Sequence, residues 1–277
     1  MRIALVTWSG LPGLSSDDQL LRDALLHDGH EVAAAVWDDP RVAWESYDAI
    51  VIRSTWDYHK RIDEFRKWLA SLGDAPLWNP RTLLERNLHK SYLLGMPNAV
   101  PTRIVQPGEH VDVTSRVVVK PAVSASAYLT TIAERPFVAS FEALVQPFVD
   151  EVTTKGEWSL LFAAGEFSHA VLKQAKRGDF RVQQELGGSA VATDPPPALI
   201  DDAHAILATI EEPWLYARVD GVERDGRLLL MELEMTEPSL FLELDAEAPR
   251  RFARAIAGRC CNAVFAPRQE GCRTDPR

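Results

Sequence analysis

Short apolar segments alternate with amphipathic segments in the first quarter of the chain. Strand-like apolar runs lie at Arg2–Trp8, Val32–Trp37 and Ala49–Ile52. Apolar residues recur with helical spacing between the cap residue Ser15 and Gly29, and again over Ile62–Leu72. Strands that alternate with helices predict an α/β lobe built on a parallel sheet.

The turn after the first strand lacks the glycine fingerprint of a dinucleotide site, because Gly10 and Gly13 flank a proline and no third glycine follows. This Rossmann-like lobe is therefore expected to serve as a substrate platform. Ligands of open α/β sheets lie beyond the carboxyl ends of the strands. There Arg53 is followed by residues that we expect to bind substrate: Ser54, Thr55, Trp56, Asp57 and Tyr58. A helix cap would explain only one of them.

A lysine precedes a loop of small residues in the middle of the chain. Lys120 stands near the end of a predicted strand and is followed by a loop that contains Ser124 and Ser126. Small residues let backbone N–H groups approach an anion closely, and lysine acts as a point charge on phosphates. The segment has no Walker A spacing, yet it predicts a phosphate site.

A further strand is predicted over Leu144–Val149. Pro147 within it indicates an edge strand or an interrupted ladder. Unpaired backbone groups at that point could bind the edge of an adenine.

Three carboxylates lie on a predicted hairpin whose turn contains the pair Asp225-Gly226. Glu232 and Glu234 are two residues apart, so they face the same side of their strand, and pairing would bring Asp220 beside them. A cation must offset their repulsion, and a few oxygen ligands suit Mg²⁺. A solvated acidic strand face is the alternative. It is disfavoured because the neighbouring residues are apolar and unpaired buried charge is costly.

Composition and charge argue against several classes of protein. The 277 residues carry a net charge of −10, which argues against a nucleic-acid partner. No apolar run is long enough for a membrane span, and the first residues are too quickly polar for a secretory signal. The three cysteines, Cys260, Cys261 and Cys272, show no disulfide or metal spacing, which favours the cytoplasm. A small molecule is the expected partner, and homo-oligomerisation is left open.

The order of these segments resembles the ATP-grasp superfamily, and within it the branch of glutathione synthetase and ribosomal-protein glutamate ligases. The resemblance covers about residues 1–258. It implies an α/β ATP-grasp fold with four regions: an N-terminal Rossmann-like lobe at 1–85, a small lobe at 86–150, a C-terminal lobe at 151–265 and a tail at 266–277.

The resemblance also implies the residues that bind ATP. Two lysines and two loop serines would hold the phosphates: Lys90, Lys120, Ser124 and Ser126. Four consecutive residues would form the adenine hinge: Gln146, Pro147, Phe148 and Val149. Asp150 or Glu151 would contact the ribose.

The remaining roles concern the reaction. Arg181 is placed like the loop arginine that meets the transferred phosphoryl group, so Arg181 and Lys120 would be catalytic. Gln183 would contact substrate, where the family often has asparagine. The metal ligands would be Asp220, Glu232 and Glu234, the last of which is frequently asparagine in the family.

Two segments resemble the O-ureido-serine cyclo-ligases, which use ATP to close the ring of the antibiotic cycloserine. They are Arg-Ser-Thr-Trp-Asp-Tyr in the first lobe and Glu-Leu-Glu-Met-Thr-Glu-Pro-Ser-Leu-Phe-Leu around the metal ligands. The resemblance implies a ligase that uses ATP and Mg²⁺ to convert a carboxylate into an acyl phosphate, which a nitrogen then attacks. An intermolecular amino-acid or peptide ligase and a non-catalytic nucleotide-binding module are the alternatives.

Overall fold

The first lobe is a parallel sheet flanked by two helices, in a computed structural model that describes residues 1–176, 178–182 and 186–265. Its strands are β1 (Arg2–Thr7), β2 (Glu31–Val36), β3 (Ala49–Ser54) and β4 (Leu77–Trp78), in the order β2-β1-β3-β4, and its helices are α1 (Ser16–His27) and α2 (Ile62–Ser71). The hydroxyl oxygen of Ser15 accepts the N–H of Asp18 at 3.0 Å, as the predicted helix cap requires.

The second region is a small antiparallel sheet preceded by a short helix. Its elements are α3 (Arg81–Asn87), β5 (Arg103–Val105), β6 (His110–Val111), β7 (Val117–Pro121), β8 (Thr131–Ala133), β9 (Phe137–Val138) and β10 (Ala143–Pro147). The main strands lie in the order β5-β10-β7-β8, and β6 pairs with β9.

The third region is a five-stranded antiparallel sheet with helices around it. Its elements are α4 (Glu151–Thr154), β11 (Glu157–Ala163), β12 (Glu166–Gln174), β13 (Ser189–Ala192), α5 (Pro197–Leu207), β14 (Tyr216–Arg224), β15 (Arg227–Glu234) and α6 (Ala248–Phe265). The strand order is β13-β12-β11-β14-β15, so the predicted β14–β15 hairpin is present, and β11 and β12 form a second hairpin.

The position of Pro147 corrects one prediction. β10 is a central strand, so the edge-strand alternative was wrong. Proline is tolerated because it is the last residue of β10, where the ladder to β7 continues after the ladder to β5 has ended at Val145. The other alternative, an interrupted ladder, is what the structure shows.

Two short helical segments lead into the small sheet. α3 ends at Asn87, and a separate 3-10 helix covers Lys90–Gly95. At the start of the 3-10 helix, the N–H of Lys90 donates to the carbonyl of Ala122, at 2.8 Å. This bond places Lys90 beside the end of β7, where Lys120 stands.

The first and third regions share one apolar core. Buried side chains of the parallel sheet and α1 pack with buried side chains of the large sheet and α6, among them Leu5, Leu21, Leu161, Tyr216 and Phe252. Within the parts of the chain that the structure describes, no helix is long and apolar enough to cross a membrane.

Candidate active site

The carboxylates of the β14–β15 hairpin lie in the cleft between the small and large sheets. Asp220 pairs in register with Glu232, and Arg218 pairs with Glu234. All four side chains line the cleft. Because side chains alternate along a strand, Arg218 faces the same way as Asp220, a consequence that the sequence analysis missed.

Arg218 bridges two of the carboxylates. Its buried guanidinium donates to both oxygens of Asp220 at 2.8–3.0 Å and to Glu234 at 2.5 Å. Burial alone would raise the pKa of Asp220, but Arg218 and Lys173 hold it at about 2. The pKa of Glu234 is raised to about 7, mainly by burial, although Arg218 opposes the rise.

Three lysines neutralise the rest of this cluster. Lys90 forms an ion pair with Glu232, and Lys120 Nζ lies 4.0 Å from the same carboxylate. Lys173 Nζ lies 2.5 Å from Glu157. Burial lowers the pKa of Lys120. Burial acts in the same direction at Lys90, but the combined attraction of Glu232, Glu234 and Glu237 outweighs it and raises the pKa of Lys90. The side chains of Glu157 and Lys173 both line the cleft and face each other across the β11–β12 hairpin.

The chemistry of the three predicted metal ligands fits Mg²⁺, but their arrangement differs from the expectation. Among the described residues, no three acidic, histidine or cysteine side chains lie close enough to hold one ion. Lys90 forms an ion pair with Glu232, and Arg218 forms ion pairs with Glu234 and Asp220. A metal ion on these carboxylates therefore requires the two basic side chains to release them.

The small-residue loop after β7 brings two serines to the cleft wall. Ser124 and Ser126 both line the cleft, and the hydroxyl of Ser124 donates to the carbonyl of Pro121 at 3.2 Å. The loop takes left-handed backbone conformations at Ser126 and Ala127, with φ of 50° and 54°. Glycine adopts this conformation without strain, so its absence here stiffens the loop.

The four predicted hinge residues line the cleft, but the two predicted ribose contacts do not. Asp150 is exposed, and the carboxylate of Glu151 pairs with Arg224 at 2.6 Å, away from the cleft. Both lie at the start of α4, which turns them outward. Glu157, six residues further along the chain, is the nearby carboxylate that faces the cleft.

Gln146 of the hinge and Arg181, in the loop between β12 and β13, form further hydrogen bonds. The side-chain amide of Gln146 is buried and donates to the hydroxyl of Thr102 at 2.8 Å. This hydrogen bond connects the hinge to the segment before β5. Arg181 lines the cleft and pairs with Asp179 at 2.9 Å. Gln183 lies outside the described residues.

Only Trp56 and Tyr58 of the predicted substrate segment line the cleft. The hydroxyl of Ser54 donates to Thr7 at 3.1 Å, and Asp57 accepts the indole N–H of Trp37 at 3.0 Å. Thr55 is fully buried and absent from the cleft wall. The chain turns into a 3-10 helix at Tyr58, so successive side chains point in different directions. This corrects the expectation that all five face a ligand.

The loop after β15 is fastened to the first lobe. Arg53 donates to the carbonyl of Pro238 at 2.7 Å and to Asp18 at 2.8 Å. Asp17, at the start of α1, accepts the backbone N–H groups of Leu240, at 2.9 Å, and Leu242. The fastened loop carries three residues of the cleft wall: Glu237, Ser239 and Phe241.

Comparisons with known proteins relate both the first lobe and the whole chain to one enzyme. Residues 3–79 match the family described as D-cycloserine synthetase DcsG, N-terminal domain. The chain is 28% identical to the cycloserine biosynthesis protein DcsG of Streptomyces lavendulae, over 93% of this chain and 98% of the relative. The crystal structure of D-cycloserine synthetase DcsG superposes with a TM-score of 0.81 at 26% identity, over 94% of this chain and 100% of the other.

More distant structures share the fold. D-alanine–D-alanine ligase from Bacillus anthracis has a TM-score of 0.65 at 15% identity, over 95% of this chain and 98% of that ligase, which has also been solved with ATP. A RimK domain protein of the ATP-grasp type from Sphaerobacter thermophilus has a TM-score of 0.64 at 15% identity, over 93% of this chain and 100% of the other. These similarities confirm the predicted α/β ATP-grasp fold.

Proposed function

We propose that this chain, an ATP-grasp ligase that forms a carbon–nitrogen bond and resembles cycloserine synthetase, closes a ring within one small amino-acid derivative. The substrate would be O-ureido-serine or a close relative, and the product would belong to antibiotic biosynthesis. The observation that carries the proposal is one cleft in which Arg218 and Lys120 stand beside carboxylates and which the aromatic side chains of Trp56 and Tyr58 also line.

The nucleotide would occupy the basic end of this cleft. Its phosphates would be held by Lys90, Lys120 and Lys173, and Mg²⁺ by the three carboxylates of the β14–β15 hairpin. When bound there, the ion neutralises phosphate charge, which is the main requirement of phosphoryl transfer. Solved relatives with ATP, or with Mg and ADP, make these two ligands general features of the superfamily.

The chain's own residues would orient the substrate and stabilise charge. A substrate carboxylate oxygen takes up the γ-phosphoryl group, a nitrogen of the same molecule then attacks the carbonyl carbon, and phosphate leaves while the nitrogen loses a proton. Arg218 and Arg181 are two guanidinium groups of the cleft that can neutralise the growing negative charge. An intramolecular nucleophile needs no second amine site, and proximity supplies up to about 7–11 kcal/mol of the barrier in favourable cases.

The experiment is to incubate the protein with ATP, Mg²⁺ and O-ureido-serine, and to measure ADP and product mass. Ring closure yields ADP, phosphate and a product lighter by one water. If hydrolysis then removes the carbamoyl group, one water is consumed, carbon dioxide and ammonia leave, and the product is cycloserine. Lys120→Met should abolish both signals, whereas Lys67→Met, at an exposed position on α2, should not.

Two results would contradict ring closure. ADP release only after a second amine is added, with a product equal in mass to the two compounds joined less one water, indicates an intermolecular ligase. An increase in melting temperature with ATP and Mg²⁺, but no ADP release with any small amino acid, indicates a nucleotide-binding module.

A further inference from the structure

One carboxylate of the cleft differs from the others in its partners. Glu237 lines the cleft three residues beyond Glu234. Every other carboxylate of the cleft wall contacts lysine or arginine: Glu157, Asp220, Glu232 and Glu234. Within the residues that the structure describes, the carboxylate of Glu237 has no ion pair or hydrogen bond, although Lys90 and Arg218 are near enough to attract it.

The backbone around this carboxylate is held in place by side chains. Three consecutive carbonyl groups accept hydrogen bonds: that of Thr236 from the hydroxyl of Tyr216 at 2.8 Å, that of Glu237 from the indole N–H of Trp56 at 3.2 Å, and that of Pro238 from Arg53 at 2.7 Å. Such support fixes the position of a recognition group before a ligand arrives, which reduces the entropy lost on binding.

No positively charged side chain in the described ranges contacts the carboxylate of Glu237. Burial, and then the charge of Glu234, raise the pKa of Glu237 to about 8. A cation beside the carboxylate would reverse this effect. Trp56 and Tyr58 line the same cleft, and the faces of aromatic rings attract cations.

We propose that Glu237 binds the ammonium group of the amino-acid substrate. This inference rests on the proposed function, since an amino-acid derivative offers a carboxylate to activate and an ammonium group beside it. The carboxylate end of the substrate lies toward Arg218 and the lysines, and the ammonium end toward Glu237. Glu237 therefore selects amino acids over the corresponding acids without an amine, and it orients the carboxylate for activation.

The test compares two proteins with two compounds: wild type and Glu237→Gln, with O-ureido-serine and with the same molecule carrying hydrogen in place of the amino group. Glutamine preserves the shape and removes the charge. Wild type should prefer the amine in kcat/KM by roughly 10- to 100-fold, the range expected for a hydrogen bond to a charged group. Glu237→Gln should lose most of this preference, with an unchanged KM for ATP. Glu247→Gln, on an exposed carboxylate paired with Arg250, should keep it.

An equal loss of activity with both compounds in Glu237→Gln would overturn the inference, because it would indicate a role in catalysis or folding. If wild type releases no ADP with O-ureido-serine, the proposed function fails separately. Melting temperatures with ATP and Mg²⁺ then decide the inference, using serine and 3-hydroxypropionate. Greater stabilisation by serine in wild type, lost in Glu237→Gln, supports it, and equal stabilisation by both compounds in wild type overturns it.

Discussion

The β14–β15 hairpin and the segment Ser54–Tyr58 were both predicted to carry ligand-binding side chains. They differ in how many of those side chains reach the cleft. The hairpin directs Asp220, Glu232 and Glu234 into the cleft. The segment directs only Trp56 and Tyr58 there, while Ser54 and Asp57 hydrogen-bond within the first lobe.

The difference comes from the backbone. In paired strands, side-chain direction follows from residue parity and register, so a spacing of two predicts a shared face. Beyond the end of a parallel strand no such period holds, and each side chain follows its own turn geometry. Polar residues at a strand end thus mark a region near a site, whereas polar residues on one strand face identify the site itself.

The largest effect is expected from Glu232→Gln in the hairpin. It removes one of the proposed metal ligands and the partner of Lys90, so the rate of ADP formation should fall by more than about 100-fold. Steady-state kinetics across a magnesium titration measures this. Glu223→Gln is the control, because that carboxylate lies on the same hairpin and contacts Lys155 outside the cleft. Equal activity in the two variants would show that the carboxylate of Glu232 is not needed for ADP formation.

Arg53→Lys should mainly reduce stability. Arg53 donates from different guanidinium nitrogens to Asp18 and to the carbonyl of Pro238. The single ammonium group of lysine cannot reproduce both of these hydrogen bonds in the same geometry. The free energy of unfolding should fall by about 1–3 kcal/mol, because lysine keeps the charge but leaves a buried hydrogen-bonding group without its partner. Urea unfolding measures it. A change under about 0.5 kcal/mol would show that this contact does not fasten the loop.

Trp56→Phe and Asp57→Asn divide the segment into its two functions. Trp56→Phe removes the hydrogen bond to the carbonyl of Glu237, so the KM for the amino-acid substrate should rise about 5- to 10-fold while the KM for ATP stays constant. Asp57→Asn should leave both KM values unchanged and lower the free energy of unfolding by about 1 kcal/mol, because Arg61 loses a charged neighbour. A raised KM for the amino-acid substrate in Asp57→Asn would indicate that Asp57 does contribute to substrate binding.

The smallest effect concerns His169 on β12, whose ring donates to the carbonyl of Leu240 in the fastened loop at 2.9 Å. Burial lowers the pKa of His169 below its ordinary 6.5, although the Leu240 carbonyl and Asp245 oppose the shift and Arg251 adds to it. Below about pH 6.5 the unfolded chain takes up a proton that the folded chain does not, so stability falls as the pH falls. Urea unfolding of His169→Gln at about pH 7.5 and about pH 5.5 should show a smaller decrease than wild type. An identical decrease would contradict this assignment.

Sequence patterns predicted the parallel sheet, the β14–β15 hairpin and the shared face of its three carboxylates, because these follow from residue periods and from the Asp225-Gly226 turn. Strands of two or three residues, such as β4 and β6, are too short to show a period. The ion pairs that occupy the carboxylates were missed because Lys90 and Glu232 are 142 positions apart. The sequence does allow Arg218 to be placed in the site. It is two residues before Asp220 on the same strand and therefore faces the same side.

The core shared by α1, the parallel sheet and α6 has a consequence for the timing of protein synthesis. Leu5 and Leu21 leave the ribosome first, but Phe252 and Ile256, which complete their packing, are among the last residues of the described chain to be made. Domains that contain their own core can fold while translation continues. Here one face of the N-terminal sheet packs against buried residues of the first 88 positions, but the other face must wait for residues translated more than 200 codons later and stays exposed until then.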